Sequence, residues 1–362
     1  MTNYGSCLVS MKSLTLIFFV FHSTLSVCLL RYVRFRDVKV MYAAPAALFV
    51  GELVKIGLSV IFLSWESKSV KKALKLIYVG TVIEWRECLK ASVASACYVF
   101  QNLLYYYSIS YLDATLLLVT QQIKILTTAL FAVLLLKKRL SLVQWSSMVV
   151  LIFGIILVQW KVEKKAAGVV ENNTTTASSV EGTTVFLSTT TPYYPLPNPL
   201  NLSPGIIGLI MVLIASILSG FTGIYLEKMF KNSTLSLWTR NFQLAVFSIP
   251  LLLCLAMITD YDQITNGGLF NGFDTWVFAV SFVFGVHGLI VALLLKHASS
   301  ILKCFASGFV IAMTSIVSIF LFNKWPSYLF VIGTLIILVA VFLYSNFPYK
   351  QKTIVLGKIR PV

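Results

Sequence analysis

Charge is scarce in this chain. Of its 362 residues only 12% are Asp, Glu, Lys or Arg, about half the ~25% usual for soluble domains. Chemistry-bearing motifs are scarcer still. No H-E-x-x-H zinc helix, G-x-S-x-G elbow or Walker phosphate loop occurs, which removes the usual signatures of metalloprotease, hydrolase and nucleotide-hydrolysing enzymes. The six cysteines lack the paired spacing of a disulfide framework or a metal site. No resident metal or cofactor is expected.

What fills the chain instead is apolar. Hydrophobic residues make up 58% and the mean hydropathy is +0.87, the composition of a polytopic membrane protein in a lipid bilayer. The net charge of +16 would suit nucleic acid, but most of the lysines and arginines lie in short loops between apolar runs, where they set topology. A nucleic-acid partner is therefore not expected.

Ten helical spans are expected, at Ser13–Leu30, Val40–Leu63, Ala91–Ser110, Ala114–Leu136, Leu142–Trp160, Pro204–Leu226, Trp238–Ile258, Trp276–Leu295, Ile301–Phe322 and Tyr328–Ser345. The first run follows Lys12 as a signal peptide would, yet it ends in Arg31 rather than in a small-residue cleavage site, so it is read as an uncleaved span. An even number of spans puts both termini on one side. The excess of Lys and Arg on that side makes it the cytosol, with the loop from Arg31 to Lys39 as an exception.

Residues 161–203 form the longest loop. Its centre is rich in Thr, Ser and Pro, a composition that reads as a disordered lumenal linker. Sequons at Asn172 and Asn173 make these the expected glycosylation sites. The linker divides a first five-span repeat, residues 1–160, from a second, residues 204–346, with a cytosolic tail at 347–362. The stretch Leu134-Leu-Leu-Lys-Lys-Arg-Leu-Ser141 is echoed by Phe320-Leu-Phe-Asn-Lys-Trp-Pro-Ser327. Because five is odd, the two copies would be inverted in the membrane, as in many secondary transporters. The fold class is thus all-α, with ten transmembrane helices in two inverted five-helix repeats.

Lys124 interrupts the otherwise uncharged run from Ala114 to Leu136. Ten residues in, at ~1.5 Å per residue, its backbone is ~15 Å deep. Leaving the charge in lipid would cost on the order of 3 kcal/mol or more. It is expected to face a polar cavity, and a cation there calls for an anionic passenger. Glu52 and Lys55 share a face three residues apart, as an ion pair or as ligands. Lys296 and Lys303, seven apart, are expected on one face, either as positive-inside anchors or in phosphate capture. His287, within the eighth span, reads as a packed core histidine beside a close helix contact at Gly288. In the third span Tyr98, Gln101, Asn102 and Tyr105 recur as one polar stripe, suited to base and sugar hydroxyls or to interhelical hydrogen bonds. Asn241 and Gln243 offer the same chemistry from the seventh span.

Several segments in order resemble the nucleotide-sugar transporters of the Golgi and endoplasmic reticulum. They are Glu52-Leu-Val-Lys55, Tyr98-Val-Phe-Gln-Asn102, Leu112-Asp-Ala114, the run from Val119 to Phe131 around Lys124, and Gln144-Trp145. The second half adds the run from Ser219 to Lys228, that from Ser236 to Gln243, and Lys296 with Ile301-Leu-Lys-Cys-Phe305. The resemblance implies a member of the drug/metabolite transporter superfamily that exchanges a cytosolic nucleotide sugar for a lumenal nucleoside monophosphate. It further implies that Lys124 and Lys296 contact phosphate, that Tyr98 and Asn102 line the cavity and that Asn241 lies on the nucleobase side. Lys303 and Gln101 are more distant matches. Within the family the Lys124 segment is most similar to the UDP-N-acetylglucosamine and UDP-galactose carriers, and Ala245 departs from the CMP-sialic acid branch. Three features differ from the family pattern: Leu117 and Gln121 stand on either side of the Val-Thr pair preceding the lysine, where the family often has tyrosine, Ser299-Ser300 replaces an Asp-Asn pair, and His287-Gly288 a Gly-Gly pair.

The resemblance implies a Golgi membrane location, with the endoplasmic reticulum left open, and UMP as counter-substrate. A homodimer or a complex with glycosyltransferases is left open as well. Two other readings are another exporter of the superfamily and a non-transporting membrane scaffold. An enzyme is not expected, because the loop carrying Asp260-Tyr-Asp262 is too short for a catalytic glycosyltransferase domain.

Overall fold

The computed structural model describes residues 2–36, 38, 40–108, 111–112, 120–167, 204–322 and 328–349. The linker sequons Asn172 and Asn173, Leu117 and most of the C-terminal tail lie outside them. Every regular element among the described residues is helical. In chain order they are α1 (Thr2–Phe35), α2 (Ala44–Ser67), α3 (Val70–Tyr78), a π-helical turn (Val79–Ile83), α4 (Trp85–Ser108), α5 (Ile123–Leu136) and α6 (Leu142–Ala167). After the linker come α7 (Pro204–Asn232), α8 (Leu237–Thr259), α9 (Tyr261–Gly267), α10 (Thr275–His297), α11 (Ser300–Phe322) and α12 (Tyr328–Asn346).

Six of these helices, α1, α2, α7, α8, α10 and α12, are long and apolar enough to cross a membrane. Apolar stretches of α5, α6 and α11 are shorter. Many large apolar side chains face outward, among them Phe21 at 67% exposure and Phe342 at 62%, a surface that lipid rather than water would cover.

Helix ends follow local chemistry more closely than hydropathy does. The second helix starts at Ala44 rather than Val40 because Pro45 stands at its first turn, where a missing N–H costs nothing. It runs past Leu63 until Lys68 turns left-handed at φ 55° and returns its N–H to Ser64. The first helix spans Thr2–Phe35, well beyond Ser13–Leu30, since a helix can continue through polar residues such as Lys12 that end an apolar run. Residues 70–83, expected as plain loop, form α3 and the π turn. Asp274 caps α10 by accepting from the Val277 N–H at 3.0 Å. It also accepts from Arg36, whose guanidinium holds the Asp274 carboxyl below the usual carboxylate range. That ion pair gives one of the exceptional arginines a partner.

The most extensive contacts between helices join the two halves of the chain. The second helix of each half, α2 and α8, pack on one another, as do the last ones, α6 and α12. The rest come in matched pairs: α4 on α7 with α10 on α1, α2 on α10 with α4 on α8, and α5 on α7 with α1 on α11. Exchanging the first half for the second turns each of these contacts into itself or into its matched partner.

Glycines set how near these helices come. A Cβ on Gly285 would stand 2.6 Å from the Gly51 carbonyl oxygen, and one on Gly333 2.7 Å from that of Gly154. At Gly220 it would meet Thr127 Oγ1 at 2.4 Å and the Thr128 nitrogen at 2.7 Å. Backbone that close leaves no room for a methyl group, so α5 and α7 must separate if one is added. Gly220→Ala is therefore expected to destabilise the protein by about 1–3 kcal/mol, seen as a lower thermal midpoint in detergent.

Candidate functional site

A cavity of about 170 Å³ opens between α2, α4, α7, α8 and α10. Apolar side chains form most of its wall, and Glu52, Lys55, Tyr98, Asn241, Ser248 and His287 supply polar groups. Lys55 Nζ lies 2.5 Å from Glu52 Oε2 and 2.8 Å from Oε1. The pair is largely buried, with side-chain exposures of 10% and 16%. Gly288 makes room for it: a Cβ there would lie 3.1 Å from Lys55 Cδ, so the lysine stem crosses the face of α10. A paired charge next to a cavity keeps its hydrogen bonds while remaining in reach of a solute.

His287 is stacked on His22 with ring centroids 5.6 Å apart, and Phe19 of α1 approaches from 5.7 Å. Its Nδ1 is buried without a hydrogen bond. Asn241, 1% exposed, donates from Nδ2 to the Leu237 carbonyl at 2.9 Å. Gln243, which shares its amide chemistry, points elsewhere. It donates to the Gly80 carbonyl in the π turn at 2.8 Å and accepts from Arg240 at 3.1 Å.

The α4 stripe divides between two neighbourhoods. Tyr98 lines the cavity, whereas the Tyr105 hydroxyl lies 3.3 Å from Ser216 Oγ on α7. Between them Gln101 and Asn102 are buried, at 4% and 3% exposure. Neither Gln101 Oε1 nor the Asn102 amide reaches a partner within hydrogen-bonding geometry, although the Tyr98 hydroxyl is close enough to interact with Asn102. Buried amides left so open are rare in a finished core, and neither Gln101 nor Asn102 lines the cavity described above.

Lys124 stands in the first turn of α5, outside the wall of the main cavity. Thr127 and Thr128 donate to its carbonyl at 3.1 and 2.6 Å, and Thr127 also donates to the Ser216 carbonyl at 2.9 Å. This braces the lysine between α5 and α7. Its ammonium lies within electrostatic reach of Lys303 on α11 and of Cys304, and Cys304 Sγ lies 4.0 Å from Thr128 Oγ1. Two half-buried cations within electrostatic reach of one another repel, and a bound anion would relieve the repulsion.

Lys296 has a different setting. It is solvent-exposed in the last turn of α10, where a cation favours the helix C-terminus. The shared face expected for Lys296 and Lys303 is absent because the helix breaks between them: α10 ends at His297 and α11 begins at Ser300. The break is fixed by Glu227, whose Oε2 accepts the Ser300 N–H at 2.7 Å. Its Oε1 accepts from Lys138 at 2.6 Å and Lys231 at 2.7 Å. This fully buried carboxylate falls one residue past the sixth span as hydropathy delimits it. The spacing of Glu227 and Lys231, i to i+4 on one helix, was its signal.

An all-helical bundle with six membrane-length helices and an internal cavity that carries a few polar groups on a largely apolar wall fits a multi-pass membrane transporter. The nucleotide-sugar transporter family matches residues 8–345, and the chain belongs to it. It is 32% identical to the UDP-galactose/UDP-N-acetylglucosamine transporter of Caenorhabditis elegans, over 97% of this chain and 86% of that one. It is 33% identical to the UDP-N-acetylglucosamine transporter of Rattus norvegicus, over 94% and 96% respectively. The UDP-galactose translocator of Bos taurus is also 33% identical, over 84% of this chain and 70% of its own. A solved crystal structure shares the fold at a TM-score of 0.59 and 9% sequence identity, covering 92% of this chain and 97% of that one.

Proposed function

We propose that this chain is an antiporter that carries UDP-N-acetylglucosamine or UDP-galactose into the Golgi lumen in exchange for UMP. The observation that carries the reading is the placement of Lys124 within electrostatic reach of Lys303, with Tyr105 of the α4 stripe meeting Ser216, whose carbonyl accepts from Thr127 one turn beyond Lys124. Two cations from opposite halves clamp a phosphate, and the amides and the cavity's polar groups read base and sugar. Relatives named for UDP-sugars support that substrate class. In this reading the second cation of the clamp is Lys303, while Lys296, to which the resemblance also assigns phosphate contact, stands at the exposed end of α10.

Ten spans in two inverted repeats, with cytosolic termini, complete the proposal. The matched contacts between the halves support the repeat, and a rocking of one half against the other about the central cavity gives alternating access. Exchange is favoured over leak if the lysine clamp must be filled before the carrier reorients, since two unneutralised cations oppose closure.

Counterflow tests this directly. Proteoliposomes preloaded with UMP are expected to accumulate labelled UDP-N-acetylglucosamine or UDP-galactose, while CMP and GMP preloads give little uptake. Uptake independent of the preload would overturn the antiport.

A further inference from the structure

The short helix α3 contributes no residue to the cavity wall and has two unlike exposed faces. Only Lys68 and Ser69 separate it from α2, and the π turn joins it to α4, so it runs along one end of the bundle. At 100° per residue, Ala73 and Ile77 fall on one side. They are the residues buried, against Leu63 with Val60, Trp238 and Phe242. The adjoining face carries Val70, Leu74 and Tyr78, at 60%, 53% and 57% exposure, spaced at i, i+4 and i+8. Beside that stripe Lys71, Lys75 and Lys72 occupy the next arc, all exposed.

None of these three lysines enters an ion pair among the described residues. Of the acids nearest in sequence, Glu66 accepts from Ser236 at 2.6 Å, Glu87 pairs with Lys90 and Arg240, and Glu84 is exposed beyond the π turn. The apolar stripe continues into Val82, Ile83 and Trp85, at 54%, 60% and 55% exposure. Such a surface is unfavourable in water. An apolar stripe flanked by unpaired lysines is the arrangement of a helix lying in the membrane interface, its apolar side in the acyl boundary and its cations among headgroups.

We propose that α3 is a binding site for anionic phospholipid. Val70, Leu74 and Tyr78 anchor the helix at the acyl boundary, and Lys71, Lys72 and Lys75 hold the headgroup phosphate and carboxylate. The site lies against α8: Gly80 is packed on Thr239, with a Cβ there falling 3.0 Å from Thr239 Cγ2, and its carbonyl accepts from Gln243. Lipid bound on α3 thus braces the start of α8 without touching the cavity.

The test uses the full-length protein purified in detergent with phosphatidylserine and phosphatidylcholine supplied together, the retained lipid being measured by native mass spectrometry. Each lysine near an anionic surface contributes ~1 kcal/mol. The triple variant Lys71→Gln, Lys72→Gln and Lys75→Gln is therefore expected to lose roughly 100-fold in phosphatidylserine affinity. The corresponding triple arginine variant keeps the preference, and Leu74→Ser with Tyr78→Ser weakens retention of both lipids. An unchanged phosphatidylserine preference in the triple glutamine variant, with a wild-type thermal midpoint, would overturn the proposal. So would displacement of the lipid by soluble glycerophosphoserine at equal concentration, which would make α3 a trap for anions from solution.

Discussion

Lys124→Ala is expected to lower exchange of labelled UMP for UDP-sugar in proteoliposomes by about 100-fold or more. A charge-assisted contact to phosphate inside the bundle contributes up to ~3 kcal/mol, and 1.4 kcal/mol is a factor of ten. The alanine also leaves Lys303 as a lone cation for a diphosphate that needs two. Lys303→Ala should fall in the same range, because the two ammoniums interact and either alone loses the clamp. Lys296→Ala, at an exposed helix end, should exchange at nearly the wild-type rate. Wild-type exchange by Lys124→Ala would remove the clamp from the proposed mechanism, and loss of exchange in Lys296→Ala alone would return the phosphate role to that lysine.

That Lys124 needs polar surroundings was legible in the sequence, since a cation in a long apolar run is costly in lipid, but the cavity expected beside it has its wall elsewhere. The lysine's neighbour was not legible. Spacing along the chain ranked Lys296 with Lys303, but the two lie on separate helices, and the break between them depends on Glu227, some seventy residues earlier. Hydropathy located α8 almost to the residue, as Trp238–Ile258 against Leu237–Thr259. It could not reveal α3, where nine residues of mixed lysine and apolar character look like a loop until their angular order is drawn. Nor can hydropathy say which helices touch. The packing of α2 on α10 depends on Gly51 and Gly285, two glycines that look alike in any apolar run. The cavity followed from that packing, so its inclusion of Ser248 and exclusion of Lys124 had no sequence signal.

Glu227→Ala is the substitution expected to cost most in stability. The carboxylate is fully buried and accepts three hydrogen bonds, from Lys138, Lys231 and the Ser300 N–H. Breaking a fully buried pair costs about 3–5 kcal/mol, but Lys138 and Lys231 are each about one-third exposed and can turn toward water. The Ser300 N–H cannot, and its orphaning adds about 1–3 kcal/mol. A loss of about 3 kcal/mol follows, read as a lower thermal midpoint in detergent. Glu227→Gln keeps an oxygen for the Ser300 N–H while losing the charge, so it should lie between alanine and wild type. Lys138→Gln separates a second effect. Of the three bonds, only the one from Lys138 crosses from the first half of the chain to the second. If the halves rock during transport, that bond must break once per cycle. Lys138→Gln should then change the exchange rate by more than its small effect on the midpoint would produce, whereas Lys231→Gln, whose bonds to Glu227 and the Ala298 carbonyl stay within the second half, should not. Equal changes in exchange for the two lysines would leave Glu227 as a fastener of α7 and α11 with no part in the motion.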